Sequence, residues 1–303
     1  MINKRVCVGA GLISLDILLR DDGIRPISYY VGGTCGNVMM ILSYMGWDAC
    51  PIARLDNSKY TERLLADMRK FNINTQYIST ENGRTPVIIQ RNIIDKDGHP
   101  THKFECRGND GRFYLNFSSL TKKQAQDVLN KIDFVPNVFF FDRVSPAIID
   151  MAKAFKSKGS LIYFEPSCKI SEKHFDECVE LADVIKFAEQ RISNLTYFDD
   201  ITNTIIIQTL GENGLKFRYD STWITLPPVP NDDVVDTVGA GDWTTAAFIY
   251  QLYNNTKQNE QGIDIDNIKS SLEKAQKIGS RSCSYEGARG MMILPFNSLK
   301  HLL

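Results

Sequence analysis

Short, wholly apolar runs alternate along the chain with segments whose apolar residues recur at helical spacing. Val138-Phe139-Phe140-Phe141 is the clearest run, and 161–164, 183–187 and 204–210 (with Ile205-Ile206-Ile207) share its character. Between and before them lie helical patterns. Segment 38–44 is densely apolar and stopped by Gly46, and 60–71 places Leu64, Leu65, Met68 and Phe71 on one face. A strand over 49–55 separates these two. Ser145-Pro146 supplies an N-cap and an N1 proline for a helix running to Gly159. Strands apolar on both faces, alternating with helices, predict a mainly parallel sheet covered on each side, a three-layer α/β/α fold.

Two stretches break this rhythm. Segments 85–94 and 101–106 flank Asp95-Lys96-Asp97-Gly98, a turn sequence, and predict an antiparallel hairpin. Segments 15–20 and 27–31 are placed beside it, giving a small sheet that projects from the main body as a lid. Residues 254–266 are polar without periodicity and are expected to form a surface loop. The chain is expected to be one domain, 1–303, with the lid built from about 15–31 and 85–106.

Composition narrows the function classes. Thirty-five Lys and Arg against 36 Asp and Glu leave a formal charge of −1, so no global basic field exists to recruit nucleic acid or an anionic membrane. Seven scattered cysteines without a C-x-x-C pair suit free thiols in a reducing compartment. No apolar run approaches the ~20 residues that span a bilayer, and a soluble cytoplasmic protein is expected.

The sharpest chemical feature is Asp236-Thr237-Val238-Gly239-Ala240-Gly241-Asp242, which leads straight into an amphipathic helix over 243–253. Glycines flanking an alanine at a helix start let backbone N–H groups converge, and the positive end of the macrodipole reinforces them as an anion site. An acid inside such a cradle suits phosphoryl transfer. The N–H groups meet the phosphate oxygens while the carboxylate receives the hydroxyl proton of the acceptor. The helix start is expected to hold Asp242 ionised, a modest base. A tight turn capped by an aspartate would account for a shorter Gly-x-Gly-Asp string.

The full string resembles the signature of the ribokinase-like (PfkB-type) carbohydrate kinases, Asp-Thr-x-Gly-Ala-Gly-Asp, and the resemblance covers nearly the whole chain. It implies a ribokinase-like fold, ATP-dependent transfer of the γ-phosphoryl group to a sugar hydroxyl, and Asp242 as base, with Gly239, Ala240 and Gly241 holding phosphate charge. Gly32-Gly33-Thr34-Cys35-Gly36-Asn37 is similar to the family's second signature and implies sugar contacts from Gly32, Gly33 and Asn37. Asp16 matches the N-terminal acid that accepts from substrate hydroxyls. Thr209-Leu210-Gly211-Glu212-Asn213-Gly214 resembles the strand-end segment along ATP, which implicates Thr209, Gly211 and Gly214. As a bare pattern it reads equally as a hairpin turn. Gly287 and Ala288 match the Gly-Ala beside adenine and a monovalent cation, Gln276 falls near the base, and Asp236 near that cation. The implied cofactors are ATP and Mg²⁺, with K⁺ a further candidate. The implied partners are a small sugar and, through the lid, a second copy of the chain.

The family pattern breaks at two places. Ala188-Glu189-Gln190-Arg191 stands where the family has Asn-x-x-Glu, and Glu165-Pro166-Ser167 replaces Asp/Asn-Pro-Asn. These departures keep a second expectation open, a catalytically weak or inactive sugar- or nucleotide-binding protein of the same fold, and a nucleoside kinase is a further alternative. Asp142 and Arg143 are expected at the pocket mouth, and Arg107 and Arg112 near an acidic sugar. Other enzyme classes fail on sequence. Val8-Gly9-Ala10-Gly11 lacks the third glycine of the dinucleotide fingerprint, having Ser14 there, and no Gly-x-x-x-x-Gly-Lys-Ser/Thr occurs. The four histidines show no metal spacing.

Overall fold

In the computed structural model, which describes residues 4–20, 26–94, 100–106, 116–167, 173–256 and 264–303, the apolar runs become the middle of a large sheet. The turn 95–98, Arg107, Arg112 and Cys168 lie outside the described residues. Fourteen segments build the larger sheet and one face: β1 (Val6–Ala10), β4 (Asp48–Arg54), β5 (Ile78–Ser79), β8 (Val138–Phe141), β9 (Leu161–Phe164), β10 (Val184–Ala188), β11 (Ile205–Thr209), β12 (Leu215–Tyr219) and β13 (Thr222–Leu226), with helices α1 (Thr34–Tyr44), α2 (Lys59–Lys70), α6 (Ala240–Thr256) and α7 (Ile265–Ser282), and the 3-10 turn over Gly211–Asn213. Helices α3 (Lys122–Lys131), α4 (Pro146–Lys156) and α5 (Phe175–Leu181) cover the opposite face.

Among the described residues the sheet has nine strands in the order β13-β12-β11-β10-β9-β8-β1-β4-β5. It is parallel from β5 to β11 and ends in the antiparallel edge hairpin β12–β13. β8 shows why its residues are all apolar. Val138 and Phe140 join one core with Cys7, Tyr163 and Trp243, while Phe139 and Phe141 join the other with Val8, Phe155 and Phe164. Burial on both faces leaves no position for a polar side chain.

Strands β2 (Ser14–Arg20), β3 (Ser28–Gly32), β6 (Val87–Ile94) and β7 (Pro100–Glu105) form a second sheet in the order β3-β2-β6-β7. The β2–β6 pair is parallel and the outer pairs are antiparallel. The expected hairpin is β6–β7.

Three differences from the sequence expectations have local causes. The polar stretch 254–266 is not all loop. α6 continues to Thr256, and α7 starts at Ile265 because Asp264 caps it by accepting from the Asn267 amide at 2.7 Å. The second difference is β13, whose mixed exposure at the sheet edge hides the strand signal. The third is α3, marked by a capping box between Thr121 and Gln124. The six described cysteines are free thiols, and no described helix is long and apolar enough to cross a membrane.

Candidate active site

The start of α6 is shaped by what it packs on. Gly239 has φ 80°, and a Cβ there would stand 2.6 Å from Ala288, so both conformation and space exclude a side chain. Trp243, wholly buried, donates from Nε1 to the Ala288 carbonyl at 2.8 Å and ties the helix to the 287–288 loop. The Ala240 amide is taken by the Thr237 carbonyl at 3.3 Å, which corrects its expected place in the anion cradle. Among the described residues the amides of Gly239, Gly241 and Asp242 have no backbone acceptor, and Gly241 is exposed. These three are the donors left for an anion.

Asp242 follows in the first turn. Asn37, in the first turn of α1, donates from Nδ2 to Asp242 Oδ2 at 2.7 Å. Its Oδ1 is buried without a partner. Behind the pair, Lys186 Nζ meets Glu165 Oε1 at 2.7 Å, and Glu165 Oε2 accepts from Thr245 Oγ1 at 2.6 Å. A Cβ on Gly241 would stand 3.7 Å from the Lys186 ammonium, so that charge lies directly beneath the cradle.

This environment overturns the expectation that the helix start keeps Asp242 readily ionised. Burial first, and then the Glu165 charge, push its carboxyl well above the usual carboxylate range. The Asn37 hydrogen bond and Lys186 pull it back only in part, and Asp142 adds to the rise. The side chain keeps some solvent access at the cleft, yet the surrounding packing and two neighbouring acids outweigh the dipole.

The sugar-signature residues gather at one edge of this cluster. Gly32 pairs with Ser14 across β3–β2, and a Cβ on it would fall 1.9 Å from the Asp16 carboxylate. Asp16 accepts from Ser14 Oγ at 2.7 Å. Burial lifts its pKa to about 6 against the opposing effects of that bond and of Arg289. Gly33 has φ 75° and faces the Leu12 carbonyl. Asp142 is wholly buried beneath the floor and not at its mouth, where it accepts from the Leu12 amide at 2.8 Å.

The nucleotide-signature residues fall into two groups. Gly287 and Ala288 adjoin the cradle, Gly287 donating its amide to Asp236 Oδ2 at 2.9 Å. Asp236, expected beside a monovalent cation, also accepts from Gln90 Nε2 at 3.1 Å and from the Val238 amide at 3.0 Å. Thr209, Gly211 and Gly214 form the β11–β12 hairpin turn, closed by Leu210 N–H to the Gly214 carbonyl at 2.8 Å. Gly214 packs on the Leu226 carbonyl, and Gln276 Nε2 donates to Pro227 O at 3.4 Å. This second group therefore collects around residues 226–228, outside the hydrogen-bonded cluster of Asp242.

Sequence reasoning gave no role to Lys186, Thr245 or Gln90. Lys186 did carry a signal, a charge in the middle of an otherwise apolar, two-sided strand.

An α/β sheet with unpaired amides at a helix start and a carboxyl beside them at its carboxyl edge is an arrangement suited to phosphoryl transfer. The chain belongs to the pfkB family of carbohydrate kinases, whose family model matches residues 5–294. It is 22% identical to a probable fructokinase-2 of Arabidopsis thaliana, covering 94% of this chain and 92% of that protein. It is likewise 22% identical to an ATP-dependent ribose-1-phosphate kinase of Halopiger xanaduensis, over 93% of each. A solved fructokinase with bound ATP from Xylella fastidiosa shares the fold at TM-score 0.75 and 15% identity, over 99% of this chain and 98% of that one.

Replacing Asp242 separates chemistry from stability. A carboxyl whose pKa is raised by folding favours the protonated folded state, so its ionisation costs stability at neutral pH. Asp242→Asn keeps an acceptor for Asn37. We expect kcat to fall by about 10²–10⁴ while the melting temperature at pH 7 rises. Steady-state kinetics and a thermal melt check both signs.

Proposed function

We propose that this chain transfers the γ-phosphoryl group of ATP to a hydroxyl, a primary one, of a small sugar of the fructose or ribose class. The observation that supports this best is the Asn37–Asp242 pair. One carboxylate is held at 2.7 Å by an amide whose own buried Oδ1 still lacks a donor. A substrate hydroxyl supplies donors for such acceptors.

In the proposed reaction the sugar oxygen attacks the γ-phosphorus as its proton passes to the Asp242 carboxylate. The bond from that phosphorus to the bridging oxygen breaks, and the electron pair leaves with ADP. A base with a raised pKa takes the proton more readily than an ordinary aspartate once it is ionised. The amides of Gly239, Gly241 and Asp242 face the charge that develops on the phosphoryl oxygens, and the Lys186 ammonium lies below them. Asp16, Gly32 and Gly33 are assigned to orient the sugar. The 209–214 turn, Gln276, Gly287 and Ala288 are assigned to the nucleotide.

Mg²⁺ would be expected to reach this site mainly on nucleotide phosphates. Among the described residues no three His, Cys, Asp or Glu side chains form a group that could hold a metal ion, and Glu165 is engaged by Lys186 and Thr245. No residue of this chain is assigned to it. The smaller sheet is assigned the role of a lid that excludes water. Its exposed Tyr30 and Phe104, with Ile27 just before β3, give a homodimer through that sheet apolar surface to bury.

ADP release across a panel of sugars tests the central reading. Sugar-dependent ADP formation, with phosphate recovered on the sugar, is expected. Binding of sugar and ATP without ADP release would show a non-catalytic binding protein instead. The Asp16 assignment has its own signature. With a pKa of about 6, Asp16 is an ionised acceptor above that pH and protonated below it. The KM for sugar should therefore climb as pH drops through about 6, and Asp16→Asn should flatten that climb.

A further inference from the structure

Three adjacent parallel strands, β8, β1 and β4, end together, and their carboxyl ends carry Arg143, Gly11 and Arg54. A narrow recess opens between them, lined also by Phe117, Ser119 and Ser145. None of the roles assigned above uses it. In open α/β sheets this edge is where ligands bind.

One of its two arginines has a buried donor left unmet, as Arg289 also has elsewhere. Arg54 Nε is buried and donates to nothing, and among the described residues Arg54 forms no ion pair. A buried guanidinium N–H without an acceptor is costly, and folded proteins rarely leave one so. Across the recess the Arg143 guanidinium lies 5.7 Å from the centre of the Phe117 ring. Its bonds to the Asp142 carbonyl at 3.0 Å, to Asp142 Oδ2 at 3.1 Å and to Ser167 all leave from Nη1. Among the described residues that line the recess there are two arginines and no acid, and Asp142 pairs with Arg143 alone, which leaves the Arg54 charge unbalanced.

The recess adjoins the sugar floor. The Asp142 that pairs with Arg143 also holds the Leu12 amide, and Gly33 packs on the Leu12 carbonyl. Asp142 and Asp242 sense each other's charge. The cradle sits over β9 and β10, through Glu165 and Lys186. The recess is therefore between two and three strand spacings away, on the order of 10–14 Å. A small sugar with the migrating phosphoryl at one end and a charged group at the other spans that distance.

We propose that this recess is an anion subsite of the substrate cavity, in which Arg54 and Arg143 hold a carboxylate or phosphate at the end of the sugar remote from the reacting hydroxyl. A guanidinium presents paired donors that match either group, and the unpaired Nε shows that Arg54 has no protein acceptor competing for it. The proposal rests on the sugar-kinase reading and names its substrate class as anionic sugars.

Matched substrates test it. Fructose is compared with fructose 6-phosphate, and glucose with gluconate, so that phosphate and carboxylate are separated. We expect kcat/KM for a charged member to exceed that of its neutral counterpart at least tenfold. Arg54→Gln should cut this charged-to-neutral ratio at least tenfold, and Arg54→Lys should restore part of it. Thermal melts confirm that the variants fold, and Arg143→Gln gives a second route to the same ratio. Equal or lower efficiency with the charged sugars, or a ratio that Arg54→Gln does not change, overturns the subsite while leaving the kinase reading intact. If no sugar is phosphorylated, the kinase reading fails instead. Calorimetric binding of fructose 6-phosphate and gluconate then decides the subsite: binding weakened by Arg54→Gln supports it, and no binding or an unchanged affinity rejects it.

Discussion

The Lys186 ammonium, set between two carboxylates beneath the first turn of α6, is the charge on which the rest of the site depends. Glu165 holds it at 2.7 Å, and Asp242 lies within reach of its field. Without Lys186, two acids and a third at Asp142 would face each other in a poorly solvated corner, where like charges repel strongly. With it, Glu165 stays engaged, and Asp242 is left as the acid that holds its proton to higher pH than an ordinary aspartate. The lysine buried within β10 is therefore a chemical feature as much as a packing one. The cost of burying it is met by the ion pair and by Thr245 on the far oxygen of Glu165.

A second set of contacts joins the smaller sheet to the start of α6. Arg20 of β2 pairs with Glu286 at 2.8 Å, and Gln90 of β6 donates to Asp236, whose other oxygen holds the Val238 amide. Arg289 is buried against Asp67 of α2 and lies 5.3 Å from the Tyr30 ring of β3. The 286–290 loop that carries these partners also supports Gly239 and Trp243. The position of the small sheet is thus linked through one loop to the geometry of the donors at the start of α6.

Much of this was legible in the sequence because it depends on local rules. Wholly apolar runs such as Val138–Phe141 can only be central strands, Ser145-Pro146 marks a helix start, and the glycines of 239–241 mark a backbone that must approach a ligand or a neighbour. What the sequence hid depends on distance in the chain. Asn37 meets Asp242 across 205 positions and Lys186 meets Glu165 across 21, and no spacing rule announces either pair. The dipole of α6 is local and predicts an acidic, ionised Asp242. Burial reverses this first, and the acids that add to it come from the ends of β8 and β9. The hairpin at 209–214 was ambiguous for a related reason, since a strand-end glycine turn looks the same whether or not a nucleotide lies beside it.

The most direct test of this charge balance is the pH dependence of kcat/KM in the native chain and in Glu165→Gln. The glutamine Oε1 can still accept from Lys186 while its Nε2 donates to the Thr245 hydroxyl oxygen, so the packing is retained while one negative charge is removed. In the proposed reaction Asp242 acts ionised, so the acid limb reports that carboxyl. The account predicts a limb well above the usual carboxylate range in the native protein, moving to lower pH in Glu165→Gln. A limb that stays in place, or moves upward, would contradict it.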